Sequence, residues 1–572
     1  MRQAGGVTRL IGALVASALA GAAVTGCSSE DQVPSIGYAV DATLATYNGA
    51  TALGASSGSA AVFGRVLTGF FYTGPAGQQV ADTDLGTAKE VPGEAQTIQY
   101  RLNPASTYSD GVPTSCDDLV LAWAAHSGKY TKPGEHGEVP LFDAATTAGY
   151  SDIERVDCQP GSKDATVVFR PDRHYLPWRT LFAAGELMPA HVAARAANVS
   201  DVVTAVSGAD PSAIGRVAEF WNTGWKLEPG DIDIANFPSS GPYRIESYSA
   251  EDGLVLVANE RWWGEKPETP RIVVWPKGVD VQQKIADNAV GVVDVGMGSV
   301  NGLQLDGFTA QDVPSRGAEQ LTLATGGVFG SADLRRAFAL CVPRQQLFND
   351  VGRAKDAPPN GLGSGPLNAH VVQQDSLYYA AVTGGANKYA NPDVGAAIKA
   401  ASASGTKNPT VRIGYQLPDD RRARTVSIIA EACKPAGINV VDAGSPEFTP
   451  AQLTGGQVDA VLGGTASAPG PSGSADGVAA TSALVAGDGL NFGSYANGRY
   501  DTITNQLAAD DDSATKLSLL TEAENVLWAD LPSIPLFATP RTIAFHNGLR
   551  NGVAGPTQAG SGWNMDRWVL TR

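Results

Sequence analysis

The 572-residue chain is short of several things, and each absence excludes a class of function. Only residues 10–24 form an apolar run, broken by Gly and Ser17, and 15 residues fall short of the roughly 20 a helix needs to cross a bilayer. No other stretch reads as a membrane span. Basic residues are scarce, 41 Lys and Arg against 58 Asp and Glu, for a net charge of −17. That balance excludes nucleic acid as a partner, because nucleic-acid binding needs a basic footprint. It also excludes electrostatic adhesion to anionic lipid. The six histidines, His126, His136, His174, His191, His370 and His546, show no HExxH or other paired spacing. The cysteines form no CxxC. Neither a metal site nor a cofactor site is therefore expected. No phosphate-binding P-loop occurs, so any ATPase belongs to another chain. Gly54-Ala55-Ser56-Ser57-Gly58 matches G-x-S-x-G in form, but residues 47–53 are a poor strand to precede a nucleophile elbow. The chain is expected to bind rather than catalyse.

The N-terminus is more informative. Arg2 and Arg9 precede the apolar run, and Val24-Thr25-Gly26-Cys27-Ser28-Ser29 follows it. An aliphatic residue, two small residues and Cys resemble the bacterial lipobox, which implies a signal peptide over 1–26 and a diacylglyceryl group on Cys27. Such an anchor holds stably when two or more acyl chains insert, at about 0.8 kcal/mol per buried CH2. The expected location is the extracytoplasmic face of the cell membrane, held by lipid alone. The body from residue 27 onward carries 39 basic and 58 acidic residues. At 546 residues it exceeds what one hydrophobic core usually supports, so two or three packed units are expected. Cys116, Cys158, Cys341 and Cys433 remain, an even number in an exported chain, which reads as two disulfides. Spacing alone does not choose among three pairings; Cys116–Cys158 and Cys341–Cys433 are favoured because each keeps within one expected lobe.

Residues 27–36 are a polar spacer. Short strand-like runs at 38–40 and 97–102 flank a helical stretch near 60–67, and 117–127 reads as an amphipathic helix behind the capping side chains of Thr114-Ser115. A β-branched strand is expected at 166–169 and a helical piece at 178–182. Residues 239–276 read as a β meander, with turns at Glu251-Asp252-Gly253 and Trp262-Trp263-Gly264. A second α/β set follows: helix 332–342, strand 411–415, helix 421–433, strand 438–441. The Ala/Gly/Ser-rich stretch 463–482 reads as loop. A last helix at 515–529 leads into Ile534-Pro535-Leu536-Phe537.

Six separated segments, in order, resemble the family-5 extracytoplasmic solute-binding proteins, the dipeptide- and oligopeptide-binding group of ABC importers. They are Leu67-Thr68-Gly69-Phe70; Tyr108-Ser109-Asp110-Gly111-Val112-Pro113 with Asp117-Asp118-Leu119-Val120; Ser240-Gly241-Pro242-Tyr243 with Asn259-Glu260-Arg261-Trp262-Trp263-Gly264; Asp333-Leu334-Arg335-Arg336-Ala337-Phe338 with Pro343-Arg344; Asn497-Gly498-Arg499-Tyr500-Asp501; and Leu531-Pro532-Ser533-Ile534-Pro535-Leu536. In themselves these residues read as scaffold, with Ser109-Asp110-Gly111 a turn and Trp262-Trp263 covering a hydrophobic edge. The resemblance implies an α/β, two-lobed periplasmic-binding-protein-like fold of type II, with a first lobe over 37–277 that includes an extra subdomain at about 59–169. A second lobe over 278–524 and a C-terminal return over 525–572 complete it. It also implies a monomer that closes by hinge motion on a peptide or other small solute and delivers it to ABC permease subunits. The composition, rich in Ala and Gly with Arg over Lys, suits an actinobacterial source.

Pocket candidates are Tyr47, Asn48, Phe70 and Phe71 from the first lobe and Gly463, Gly464, Thr465 and Ser467 across the cleft. Trp221 and Trp225 match no family segment and read as an edge of the first lobe. Peptide binders of the family pair the ligand's α-amino group with an Asp in a "G-W-x-A-D-Y" stretch. Here Thr465 stands at the Trp position and Ala468 at the Asp position, so a buried ammonium lacks its charge-assisted partner. Asp476 and Asp488 lie downstream and are available if the loop is rearranged. The alternative reading is an envelope lipoprotein of the same fold that binds a glycolipid without transport.

Overall fold

Runs of β-branched and aromatic residues assemble one ten-stranded sheet in this computed structural model, which describes residues 34–134, 137–463 and 480–571. The strands are β1 (Ser35–Val40), β2 (Tyr243–Ser249), β3 (Gly253–Ala258), β4 (Arg271–Trp275), β5 (Val292–Gly296), β6 (Phe308–Leu323), β7 (Thr410–Gly414), β8 (Asn439–Asp442), β9 (Ala460–Leu462) and β10 (Ser533–His546). They lie in the order β2-β3-β4-β1-β5-β10-β6-β9-β7-β8. The expected meander forms the antiparallel β2-β3-β4 edge, and β1 runs parallel to both β4 and β5. At the other end β7 runs parallel to β8 and β9. The fold is the expected α/β, two-lobed arrangement, each lobe with its own apolar core.

Two strands join the lobes. The first half of β6, 308–314, pairs with the last part of β10, 540–546, beside β5. The second half, 318–322, pairs with the start of β10, beside β9. Pairing is interrupted between Pro314 and Ala318, where prolines on both strands (Pro314, Pro540) remove backbone donors. The crossing therefore comes later than residues 278 and 525, because β5 completes the first lobe and the helix Ser513–Asp530 packs within the second.

The strand Thr97–Leu102 appears with the expected ends, while helices Ala332–Cys341 and Asp420–Cys433 and strand Asp164–Phe169 appear with shifted ones. The helix Cys116–His126 is buried along its whole length rather than amphipathic, because it is wedged between the first-lobe core and the subdomain sheet. That four-stranded sheet runs Gly86–Val91, Thr97–Leu102, Asp164–Phe169, Ile153–Asp157. Its core extends to Leu187, past the expected limit of 169. Both disulfides pair as favoured, Cys116–Cys158 and Cys341–Cys433. Trp221 and Trp225 are interior rather than edge residues, 1% and 0% exposed. Trp225 Nε1 donates to Asn236 O at 2.8 Å, and the Trp221 ring meets Phe142 and His126 edge-on. Asp110 accepts from Val112 N at 3.0 Å while Gly111 takes φ +93°, which makes the turn read from Ser109-Asp110-Gly111.

One buried charge cluster holds the crossing. Glu319, on β6 just past the pairing break, is 0% exposed. Its Oε1 accepts from Arg422 Nε at 2.8 Å and its Oε2 from Arg421 Nη2 at 3.1 Å. Both arginines start the helix Asp420–Cys433, whose N-cap Asp419 accepts from Arg422 N at 2.8 Å. Burial alone raises the Glu319 pKa, but the two guanidinium groups outweigh it and hold the carboxyl at about 2. Because the folded value is depressed, the cluster stabilises the fold fully above the unfolded value of about 4.3. That contribution disappears as pH falls through about 2. Glu319→Gln leaves Arg421 and Arg422 with Asp419 alone, at 3.8 and 3.5 Å, and is expected to cost about 3 kcal/mol at pH 7, read from urea denaturation. Its stability is also expected to fall less steeply than wild type between those two pH values.

Candidate ligand-binding cleft

Where the two strands cross, the lobes enclose a cavity of about 270 Å³. Its first-lobe wall is the end of β1 (Asp41, Ala42) with the helix Ala52–Ser56 and the turn after it. Ser315, Gly317, Thr539 and Arg541 on the crossing strands form the floor, and Arg422, Phe448 and 461–463 form the second-lobe wall. In an open α/β sheet the carboxyl ends of strands are where ligands collect, and β1, β7 and β9 all end near this cavity.

The polar lining is charged and largely self-paired. Asp41 Oδ1 accepts from Lys277 Nζ at 2.6 Å. Burial raises the Asp41 pKa, yet Lys277, with Arg422 and Arg541 beyond it, holds it at about 2. Arg541, in the middle of β10, donates through Nε to Asp294 Oδ1 at 2.9 Å, while Asp294 Oδ2 accepts from Ser561 N at 2.7 Å. Arg422 spends Nε and Nη2 on Glu319. Among the described residues, the protein hydrogen bonds of these two cavity-lining arginines run through Nε and Nη2 and none through Nη1. Asp41 is the one acid bordering this cavity among the described residues, and it is already paired.

The sequence candidates divide. Gly463 borders the cavity. It takes φ +136°, and a Cβ there would come within 3.0 Å of Arg422 Nη2, so glycine serves both the backbone and the guanidinium. Tyr47, Asn48, Phe70 and Phe71 do not border it. Tyr47 is 0% exposed between Phe63 and Phe237, with its hydroxyl donating to Pro238 O at 3.1 Å. Asn48 donates to Trp221 O at 2.9 Å and accepts from Ala50 N. Phe70 and Phe71 pack against Tyr100 and Trp178 in the subdomain core. All four are drawn inward by the packing that shapes the first lobe. Gly464, Thr465 and Ser467, like Cys27 and Asp476, lie outside the described residues. Asp488 sits instead at a contact between the lobes, accepting from Thr147 N at 3.3 Å, and burial pushes its carboxyl up to about 7. Leu490 N to Ala145 O at 3.0 Å and Leu176 N to Ala508 O at 2.8 Å extend that contact. Ser56, the central serine of the G-x-S-x-G match, turns its hydroxyl back to Ala52 O at 2.8 Å within its own helix. It does not stand on a strand-to-helix elbow.

The charged residues Asp41, Lys277, Arg422 and Arg541 were not singled out from sequence. A signal existed: Asp41 directly follows a strand, Arg421-Arg422 open the helix after β7, and Arg541 interrupts the apolar run of β10.

Residues 83–480 match the bacterial extracellular solute-binding proteins, family 5, middle region. The chain is 41% identical over 572 residues to an uncharacterized lipoprotein of Mycobacterium tuberculosis, covering 99% of each. It is 24% identical over 516 residues to the oligopeptide-binding protein OppA of that species, 86% of this chain and 78% of that one. A stretch of 180 residues is 25% identical to a probable monoacyl phosphatidylinositol tetramannoside-binding protein of the same species, 31% of this chain and 21% of that one. Among solved structures, the periplasmic EDTA-binding protein EppA superposes with a TM-score of 0.71 at 20% identity, over 94% of this chain and 97% of that one. The oligopeptide-binding protein AppA of Bacillus subtilis, in complex with a nonapeptide, gives 0.70 at 12% identity, over 94% and 100%. No helix among the described residues is long and apolar enough to cross a membrane. The chain belongs to the bacterial extracellular solute-binding proteins of family 5.

Proposed function

We propose that the chain is the lipid-anchored, extracytoplasmic substrate-binding component of an ABC importer, and that it closes on a peptide or peptide-like solute bearing a carboxylate. The observation that carries this reading is the pair Arg422 and Arg541. One stands on the second lobe and one on a crossing strand, both line the cavity, and among the described residues the hydrogen bonds of each guanidinium run through Nε and Nη2 alone. A carboxylate entering the closed cleft gains charge-assisted hydrogen bonds from both sides at once, and closure removes it from water. The likeness to OppA over most of the chain supports a peptide as the solute. Acyl chains on Cys27 keep a body with a strong acidic excess beside its permease by raising the effective concentration, so the chain acts as a monomer.

A second reading, an envelope lipoprotein binding a glycolipid without transport, is favoured by the 180-residue likeness to the tetramannoside-binding protein, and a phosphodiester suits the same arginines.

Calorimetry with alanine peptides of two to four residues separates these readings. Free peptides are expected to bind, and converting the C-terminal carboxylate to an amide is expected to weaken binding roughly 10- to 100-fold, the worth of charge-assisted bonds at about 1.5–3 kcal/mol. Arg541→Gln is expected to erase most of that difference. Binding of phosphatidylinositol mannoside in place of every peptide would transfer the assignment to the second reading.

A further inference from the structure

A second cavity, of about 190 Å³, abuts the first inside the same cleft. Ala55, Ala60 and Gln558 border both. Its walls are apolar and aromatic: Phe63, Leu181, and the stacked pair Tyr72 and Trp563, with Leu490 added from the second lobe. The polar groups at its inner end do not match each other. Glu186 lines the cavity without any cationic partner among the described residues. It accepts hydrogen bonds from Tyr150 Oη at 2.8 Å and Ala183 N at 3.2 Å, and the Phe182 N–H also acts on it. His126 lies beside it, its ring stacked on Tyr150 at 4.8 Å between centroids. Nδ1 of His126 is 2.7 Å from Thr146 O, and a carbonyl only accepts, so Nδ1 carries the proton. Nε2 is then an acceptor, and it is buried without a partner.

Glu186 and the His126 ring thus bring two acceptors to a cavity whose other polar lining groups, Ser59, Thr146, Thr180 and Gln558 among them, are neutral. An occupant that brings N–H groups suits both. We infer that this cavity is a second subsite of the cleft, which receives the protonated amino group of the solute with Glu186 as its acceptor. The inference rests on the peptide reading above and adds a direction to it, with the carboxylate at Arg422 and Arg541 and the amine toward Glu186. It also supplies, from the first lobe, the ammonium partner that the Thr465–Ala468 stretch lacks. Burial lifts the Glu186 carboxyl to about 7 against the hydrogen bonds from Tyr150, Ala183 and Phe182, so a cation placed beside it would draw it to the charged form. Burial likewise lowers His126 to about 4, so its ring is neutral and accepts.

The test uses the whole folded protein and the same alanine peptides, free and N-acetylated. Acetylation is expected to weaken binding to wild type at least 10-fold. Glu186→Gln, which keeps shape and hydrogen bonding but not charge, is expected to weaken the free peptides at least 10-fold. It is expected to leave the acetylated ones within about 2-fold of wild type, which also certifies the variant's fold. Peptides that respond to C-terminal amidation but not to acetylation would leave the peptide reading standing and overturn this one. Equal loss for free and acetylated peptides in Glu186→Gln would overturn it too. If no peptide binds wild type at all, both readings fall together.

Discussion

Glu319 is the constraint on which the two-lobed arrangement turns. A carboxylate without solvent exposure is costly unless it is paired, and here it is paired with two consecutive arginines from a different element. Because it sits just beyond the break in pairing between β6 and β10, it ties the start of the helix Asp420–Cys433 to the crossing itself. Arg422 thus reaches the cavity only as far as Glu319 lets it. Gly463 confirms how closely that position is set, since even one carbon there would press on the guanidinium. The clamp and the candidate binding group share the side chain of Arg422, so the pairing at the crossing also sets where Arg422 lies along the cavity.

Charge is distributed along the cleft in an ordered way. At the crossing, Asp41 and Asp294 are paired with neighbouring cations; in the adjoining cavity, Glu186 has no cationic partner among the described residues. On the reading proposed above, a solute with a carboxylate at one end and an amine at the other would meet complementary groups in both places. Asp488 and its neighbours at 145–147 and 490 close the far side of the same cleft. Each piece of this arrangement serves enclosure, and a group hidden from water is worth more to a charged ligand than the same group at the surface.

The fold was largely legible in the sequence, because strand and helix signals are local. The meander 239–276, the helix behind Asp419 and the turn at Asp110-Gly111 follow from residues close in the chain. The disulfide pairs also followed, since the lobes kept each pair together. Boundaries between lobes were less accessible. They depend on β5 pairing with β1 and on β6 with β10, and such long-range pairing leaves no local mark. The site was the least legible part. Tyr47, Phe70 and Phe71 are large and aromatic, which suits a pocket and a core equally, and burial decided for the core. Arg422, Arg541 and Glu186 come from three remote segments, and only the folded chain brings them to two adjoining cavities. Trp221 and Trp225 show the same ambiguity resolved in the same direction.

The central claim is that the space between the lobes holds a small solute with a carboxylate and an amine. Native mass spectrometry of the protein isolated from its own host tests it most directly. The account predicts additional masses of short peptides or peptide-like amino acids, released when the protein is unfolded. A single acylated glycolipid mass in their place would contradict it.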